Sequence, residues 1–399
     1  MQKSDILIIG GGVFGMTAAI ELAKRAYQVS LINPDTIPHH LAASTDVTKV
    51  VRMEYGSDTT YFEMAEQSIA LWRKWNDYLG EQLYHEVGFL MLGTAPFDDP
   101  RQRYEQASIQ HLQQKQYPFE RLRGAAIADR FPALSSEQYE EASFNPVGGY
   151  VESAKVIAAL AAYAKRLGVH IYEGQTAQHL TVEKGHLTEV KTKEGATFSA
   201  DHTVIAAGAH TPLLLPALQP FMKPTGHPVF FLRPSDPSNF LAEKLPVFTA
   251  DISNTGWYGF PYLPELGIVK VAKHTTGLEI HPDKDDRLIY ATEVEDLRQF
   301  LKQTFPELVE APVVYTRRCL YTDTLDGHFW IDQHPTIKGL SVSSGGSGHG
   351  MKMAPVLGAV TADMVEGKSN PYLERFRWRE LGAETLQIEE ARFIAHQKL

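Results

Sequence analysis

The residues of this 399-residue chain whose types and spacing suggest chemistry are one thiol, four cations in short apolar settings and two glycine-rich turns. Cys319 is the only cysteine, within Arg-Arg-Cys-Leu-Tyr-Thr-Asp-Thr at 317–324. A thiolate is a soft nucleophile, able to bond an electrophilic carbon such as a ring methyl of an isoalloxazine and so tether a flavin. The plainer reading is a small buried hydrophobe, the usual setting of a free cysteine. Ser44-Thr-Asp-Val-Thr-Lys49-Val-Val-Arg52 places two cations three residues apart, which on a helical turn would share a face. Arg52 suits a bidentate carboxylate clamp, although surface arginines are commoner. Ser44, Thr45 and Lys49 are expected on the cofactor side of this stretch.

In Ile268-Val-Lys270-Val-Ala-Lys273-His274, two-residue alternation puts Lys270 and His274 on one strand face. A lysine there could stabilise superoxide as a reduced cofactor meets oxygen. It could equally guard an edge strand, and His274 could be an ordinary core histidine. Lys352 follows Ser344-Gly-Gly346-Ser-Gly348-His349-Gly350-Met at the start of a helical pattern, the wrong end of the dipole for a cation. A bound anion would stabilise it, with a solvated lysine as the alternative.

These side chains need a scaffold. Ile6–Ile9 reads as a strand, Val13–Ala26 as a helix and Val29–Ile32 as a second strand. Between them Gly10-Gly-Gly12-Val13-Phe14-Gly15 has the GxGxxG spacing of a dinucleotide turn. There Gly10 allows the turn, Gly12 the approach of a pyrophosphate, and Gly15 close helix packing. The helix start then offers amides to phosphates. Asn33 stands where a ribose-binding acid is expected and can still accept a hydroxyl. This motif alone would suit a nicotinamide enzyme. No second fingerprint of this kind follows, so reducing equivalents are expected from the substrate itself.

A second βαβ pattern runs through the helix 154–166 and the strands 169–172 and 203–206. A third unit has the strand 340–343, the glycine loop and the helix 351–365. Residues from about 80 to 149 break the pattern, and 228–273 read as strands interrupted by prolines. The expected fold is α/β: a Rossmann-like cofactor domain from 1–80, 150–220 and 319–399. A substrate domain is inserted in two portions, 81–149 and 221–318.

A formal charge of −10 argues against nucleic acid and anionic membrane surfaces as partners. No apolar run is long enough for a membrane span. One cysteine permits no internal disulfide, which fits a reducing, cytoplasmic location. Gln397-Lys-Leu399 lacks the small residue of a peroxisomal address and reads as a helix end. The histidines His39, His40, His328 and His334 show no metal spacing, and no GxSxG nucleophile turn is present.

Taken together, the chain resembles the D-amino-acid-oxidase-like flavoproteins, in the branch of monomeric sarcosine oxidase, N-methyltryptophan oxidase, pipecolate oxidase and fructosyl amino acid oxidases. The likeness is most specific in Cys319-Leu-Tyr-Thr-Asp-Thr-Leu-Asp-Gly-His-Phe-Trp-Ile-Asp-Gln-His-Pro335 and Ser347-Gly-His-Gly-Met-Lys352. The resemblance implies an FAD-binding Rossmann-like domain with an inserted α+β substrate domain built on a mixed sheet. It also implies FAD bound covalently through Cys319, a substrate carboxylate on Arg52 and Lys352, oxygen activation by Lys270, and a cavity lined by Tyr258 and His274. Lys49, in place of the arginine of sarcosine and methyltryptophan oxidases, resembles the fructosyl amino acid oxidases and points to an Amadori substrate. The expected activity is oxidation of a secondary-amine amino acid to an imine with O2 reduced to H2O2, by a monomer. A same-fold dehydrogenase with a protein or quinone acceptor, or a non-catalytic flavin-binding protein, are the alternatives.

Overall fold

The computed structural model describes residues 2–135, 137–382 and 389–393, and the helix end expected at Gln397–Leu399 lies outside them. The first βαβ unit forms as expected: strand Gln2–Ile9, helix Val13–Lys24 and strand Val29–Asn33. Residues Ile6 to Ile9 are covered on both faces, which is why they read as a continuous apolar run rather than an alternating one. The parallel core runs in the order 170–173, 29–33, 2–9, 197–205, 340–344. Helix Val13–Lys24 packs beside helix Ala354–Glu366 at a glycine: a Cβ on Gly358 would lie 2.5 Å from the Thr17 carbonyl oxygen. The two glycine-rich elements are therefore built side by side.

The second unit differs from its sequence pattern. Helix Ser153–Arg166 and strand His170–Glu173 form, but the chain then runs through the antiparallel strands Ala177–Glu183 and His186–Thr192 before returning as Thr197–Ile205. Those strands are half exposed and mixed in polarity, so they carry little periodic signal.

The second sheet has nine strands and is mixed: Val247–Ala250 pairs in parallel with Phe89–Gly93, while the other pairs are antiparallel. Its longest pairing joins Met222–Leu232 to Val313–Thr324 and sets Cys319 opposite His227. The boundary drawn at 319 falls inside that continuous strand. The strand begins in the mixed sheet and its far end reaches the glycine loop, where Ser347 N donates to Thr322 O at 3.1 Å. A small third sheet pairs Lys49–Val51 with Gly149–Val151. Lys49 and Arg52 thus lie on and just after a strand, not on the helical turn their spacing suggested.

Candidate active site

One cavity, about 570 Å³ counting its open mouth, collects side chains from the mixed sheet, the small third sheet and the glycine loop that follows strand 340–344. Lys49, Arg52, Tyr258, His274, His349 and Lys352 all line it, joined by Tyr321, Phe260 and Glu389.

Arg52 is buried and caged by aromatic rings, its guanidinium carbon 4.9 Å from the Tyr55 ring centre, 5.5 Å from Tyr104 and 5.7 Å from Phe89. Such rings hold a guanidinium flat and favour its charge. Its Nη2 donates to Glu389 Oε1 at 3.1 Å, and its Nη1 is buried with no acceptor among the described residues. Lys352 sits in a 3₁₀ turn, Met351–Met353, ahead of the helix. Its carbonyl is held by Ser68 Oγ at 2.6 Å and Trp72 Nε1 at 2.9 Å, two residues one turn apart on helix Thr59–Leu79. The backbone is pinned while the ammonium points to the cavity, 5.1 Å from the Tyr55 ring centre. Burial, then Arg52, lower its pKa to about 7, with Glu389 opposing.

Cys319 is buried, and Lys49 Nζ donates to its Sγ at 3.5 Å. Tyr321 points to the same face two residues on, and Gly348 makes room for it: a Cβ there would meet the Tyr321 ring at 2.4 Å. Gly346 and Gly350 lie against the Phe14 ring, where a Cβ would come within 3.1 Å and 2.8 Å. Gly345, Ser347 and Gly348 all have positive φ, which turns the loop tightly on itself.

Lys270 does not line the cavity. Its Nζ lies behind Phe260, 4.6 Å from the ring centre, and donates to Asp46 Oδ2 at 2.7 Å and Thr48 O at 2.5 Å. Asp46 also meets Lys49 Nζ at 3.3 Å, so one buried carboxylate links the two lysines. Burial lowers the Lys270 pKa to about 8, with Asp46 holding it up in part. Burial likewise works against the charge of Asp46, yet Lys270 and Lys49 bring its pKa well below the carboxylate range.

His349 has both nitrogens engaged: Nε2 at 3.0 Å from Gly327 O and Nδ1 at 3.1 Å from Tyr55 Oη. A carbonyl only accepts, so Nε2 carries the hydrogen and Nδ1 accepts from the tyrosine. Burial lowers its pKa to about 3, so it stays neutral and positions Tyr55. His274 Nε2 lies 3.0 Å from Glu389 Oε2 and, facing a carboxylate, donates.

At the fingerprint turn, Gly10 has φ +110 and a Cβ on Gly15 would lie 1.9 Å from the Gly10 oxygen. Asn33 has a use its position did not suggest: Oδ1 accepts from Gly11 N at 2.9 Å and Nδ2 donates to Asp35 O at 2.7 Å, fixing the turn. Ser44 Oγ accepts from Val13 N at 2.9 Å. The amides of Gly12, Phe14 and Gly15 find no acceptor among the described residues, which fits a cradle for the phosphates of a dinucleotide. Thr45 is buried nearby, and its hydroxyl also lacks a partner among the described residues.

Asp46, Tyr55, Tyr321 and Glu389 were not singled out from sequence. Asp46 and Tyr321 lie within the quoted motifs and Tyr55 just beyond one, but Asp46 and Glu389 take their importance from partners 224 and 337 residues away.

Comparison with known proteins gives a consistent picture. The family model described as FAD dependent oxidoreductase matches residues 5–364. Monomeric sarcosine oxidase of Bacillus sp. (strain B-0618) is 27% identical over 373 residues, covering 90% of this chain and 91% of that one. L-saccharopine oxidase of Schizosaccharomyces pombe is 26% identical over 418 residues, covering 95% and 94%. Among solved structures, the fructosamine oxidase Amadoriase II of Aspergillus fumigatus superposes with a TM-score of 0.82 at 23% identity, covering 99% of this chain and 94% of that one. At that identity the likeness is one of fold.

Proposed function

The chain belongs to the FAD dependent oxidoreductase family, and from that premise we propose that it oxidises the C–N bond of an N-substituted amino acid, with O2 as electron acceptor. The observation that carries this reading is the pairing, in one cavity, of Arg52, whose buried Nη1 has no acceptor among the described residues although its Nη2 meets Glu389, with the cation Lys352. A substrate carboxylate bound to both would gain two charge-assisted hydrogen bonds in a site largely removed from water. Relatives bearing the names sarcosine oxidase, saccharopine oxidase and N-methyl-L-tryptophan oxidase agree with a secondary-amine substrate.

When bound, FAD supplies the two-electron acceptor and the site that oxygen later reoxidises. The protein's part is to orient and desolvate. Arg52 and Lys352 hold the carboxylate, and both cations pack against the Tyr55 ring. Lys49, Arg52 and Lys352 together disfavour an ammonium, so the amine is held neutral and needs no strong base. The imine then leaves to be hydrolysed by water. Lys270, its charge kept by Asp46, stabilises the anion formed as oxygen accepts an electron. Cys319, its Sγ 3.5 Å from the Lys49 ammonium, supplies the sulfur for a covalent flavin bond. We assign the fingerprint turn, Ser44, Thr45 and the 346–350 loop to FAD, and the mixed sheet to a substrate domain. The protein acts as a monomer.

Placement of Lys270 behind Phe260, neutralised by Asp46, favours a second reading in which the acceptor is a protein or quinone. Oxygen uptake separates the two. With substrate, the oxidase reading expects one H2O2 per amine oxidised. Fast dye reduction without peroxide would establish the dehydrogenase. Acid precipitation should leave the flavin on the polypeptide in the unaltered protein and release it from Cys319→Ser, whereas release from both would remove the thioether.

A further inference from the structure

Glu389 reaches the cavity from far along the chain and brings a negative charge among three cations. Residues 389–393 are fastened at several points. Arg392 pairs with Asp323 through Nη1–Oδ2 at 2.8 Å and Nη2–Oδ1 at 3.0 Å, and Nη2 donates to Ser347 O at 2.7 Å. Phe393 N donates to His274 O at 3.2 Å, and Glu390 Oε2 accepts from Ser57 N at 3.1 Å. These anchors lie on the cysteine strand, the glycine loop and the residue after the Lys270 strand, so the segment forms a wall of the cavity.

Its carboxylate does not span the two cations that the substrate reading needs. Oε1 takes Arg52 Nη2 and Oε2 takes His274 Nε2, while Arg52 Nη1 and the Lys352 ammonium have no acceptor among the described residues. A place for a substrate carboxylate therefore remains beside Glu389. Burial opposes the charge of Glu389, but the His274 hydrogen bond and Arg52 outweigh it and keep it ionised. A carboxylate has about four lone-pair sites, and two here are uncommitted.

We propose that Glu389 is a specificity-determining residue, resting on the amine-oxidation reading of this site. It selects N-substituted amino acids whose N-substituent brings hydrogen-bond donors, hydroxyls or an ammonium, and turns away those whose N-substituent ends in a second carboxylate. A donor group meets the two open lone-pair sites. A second carboxylate has no hydrogen to give and meets like charge in a buried place.

The test uses thioether analogues on oxidised holoenzyme, where sulfur replaces the amine and no turnover is needed. Methylthioacetate carries one carboxylate and thiodiglycolate two, and binding is read by perturbation of the visible flavin band. The unaltered protein should bind methylthioacetate at least about tenfold more tightly than thiodiglycolate, and Glu389→Gln should reduce that ratio by about tenfold. A ratio within one variant is independent of how much of it has folded. With amines, the rate of flavin reduction by fructosyl-glycine relative to sarcosine should fall about tenfold in the same variant. A thiodiglycolate ratio unchanged within twofold would overturn the proposal. So would equal tightening of both analogues, which would make Glu389 a tethered stand-in for the substrate carboxylate. Failure of every amine to reduce the flavin would defeat the amine-oxidation reading while the analogue ratio still decides the role of Glu389, and failure of both analogues to bind would defeat the two together.

Discussion

The Lys352 ammonium sits near its own titration point, because burial and then the Arg52 charge bring its pKa down to about 7. Below that pH the lysine is protonated and holds a carboxylate; above it the lysine is neutral and only Arg52 remains. The dissociation constant of methylthioacetate should therefore rise by about tenfold for each pH unit just above 7 until Arg52 alone binds. Lys352→Met should bind more weakly with a flat profile, and a flat profile in the unaltered protein would remove Lys352 from the carboxylate site. Lys270 titrates near 8 through burial, with Asp46 its main support. Asp46→Asn removes that support, so the charge is lost at a lower pH and reoxidation should begin to slow at a correspondingly lower pH. Lys270→Met should slow reoxidation about 100-fold below pH 8, the difference from the unaltered protein shrinking as the pH rises past the Lys270 pKa, with reduction by substrate much less affected. Equal slowing of both steps would strip Lys270 of its role in the oxygen step.

The two glycine-rich elements owe their positions to backbone approaches that no side chain can enter. A Cβ on Gly15 would lie 1.9 Å from a carbonyl oxygen of the turn itself, and neither partner can move aside. Gly15→Ala should cost about 1–3 kcal/mol of stability and leave purified protein depleted of FAD, as read by thermal unfolding and the ratio of visible to ultraviolet absorbance. Full flavin content in that variant would mean the turn is not the phosphate cradle. These elements are legible in the sequence because their signals are local: a strand of four apolar residues, a glycine spacing, a helical period. Arg52 and Lys352 are legible for a related reason, each being a cation where its neighbours are apolar. Lys270 is legible as a buried lysine but not as half of an ion pair, since its alternation says nothing about Asp46. The meander at 177–192 is hidden because its strands are half exposed, and the path of 313–324 between two sheets is hidden because a strand's pattern does not name its partners.

On the scale of the molecule, the cavity exists where the mixed sheet meets the glycine loop of the parallel one. The nine-stranded sheet supplies Tyr258, Phe260 and Tyr321, and the loop after the parallel strand 340–344 supplies His349 and leads to Lys352. Residues 389–393 close one side, so the site draws on nearly the whole length of the chain. No helix among the described residues is long and apolar enough to cross a membrane. Because every proposed group comes from a single chain, light scattering should report a mass near 44.6 kDa for the active species. Activity confined to a species of twice that mass would require a residue from a second copy.

Anaerobic addition of sarcosine, pipecolate and fructosyl-valine, each separately, to purified holoenzyme tests amine oxidation most directly. Rapid bleaching of the visible flavin band by one of them, lost or greatly slowed in Arg52→Met, is the predicted result. A band left unbleached by any secondary amine, in a protein that carries its full complement of FAD, would contradict the account.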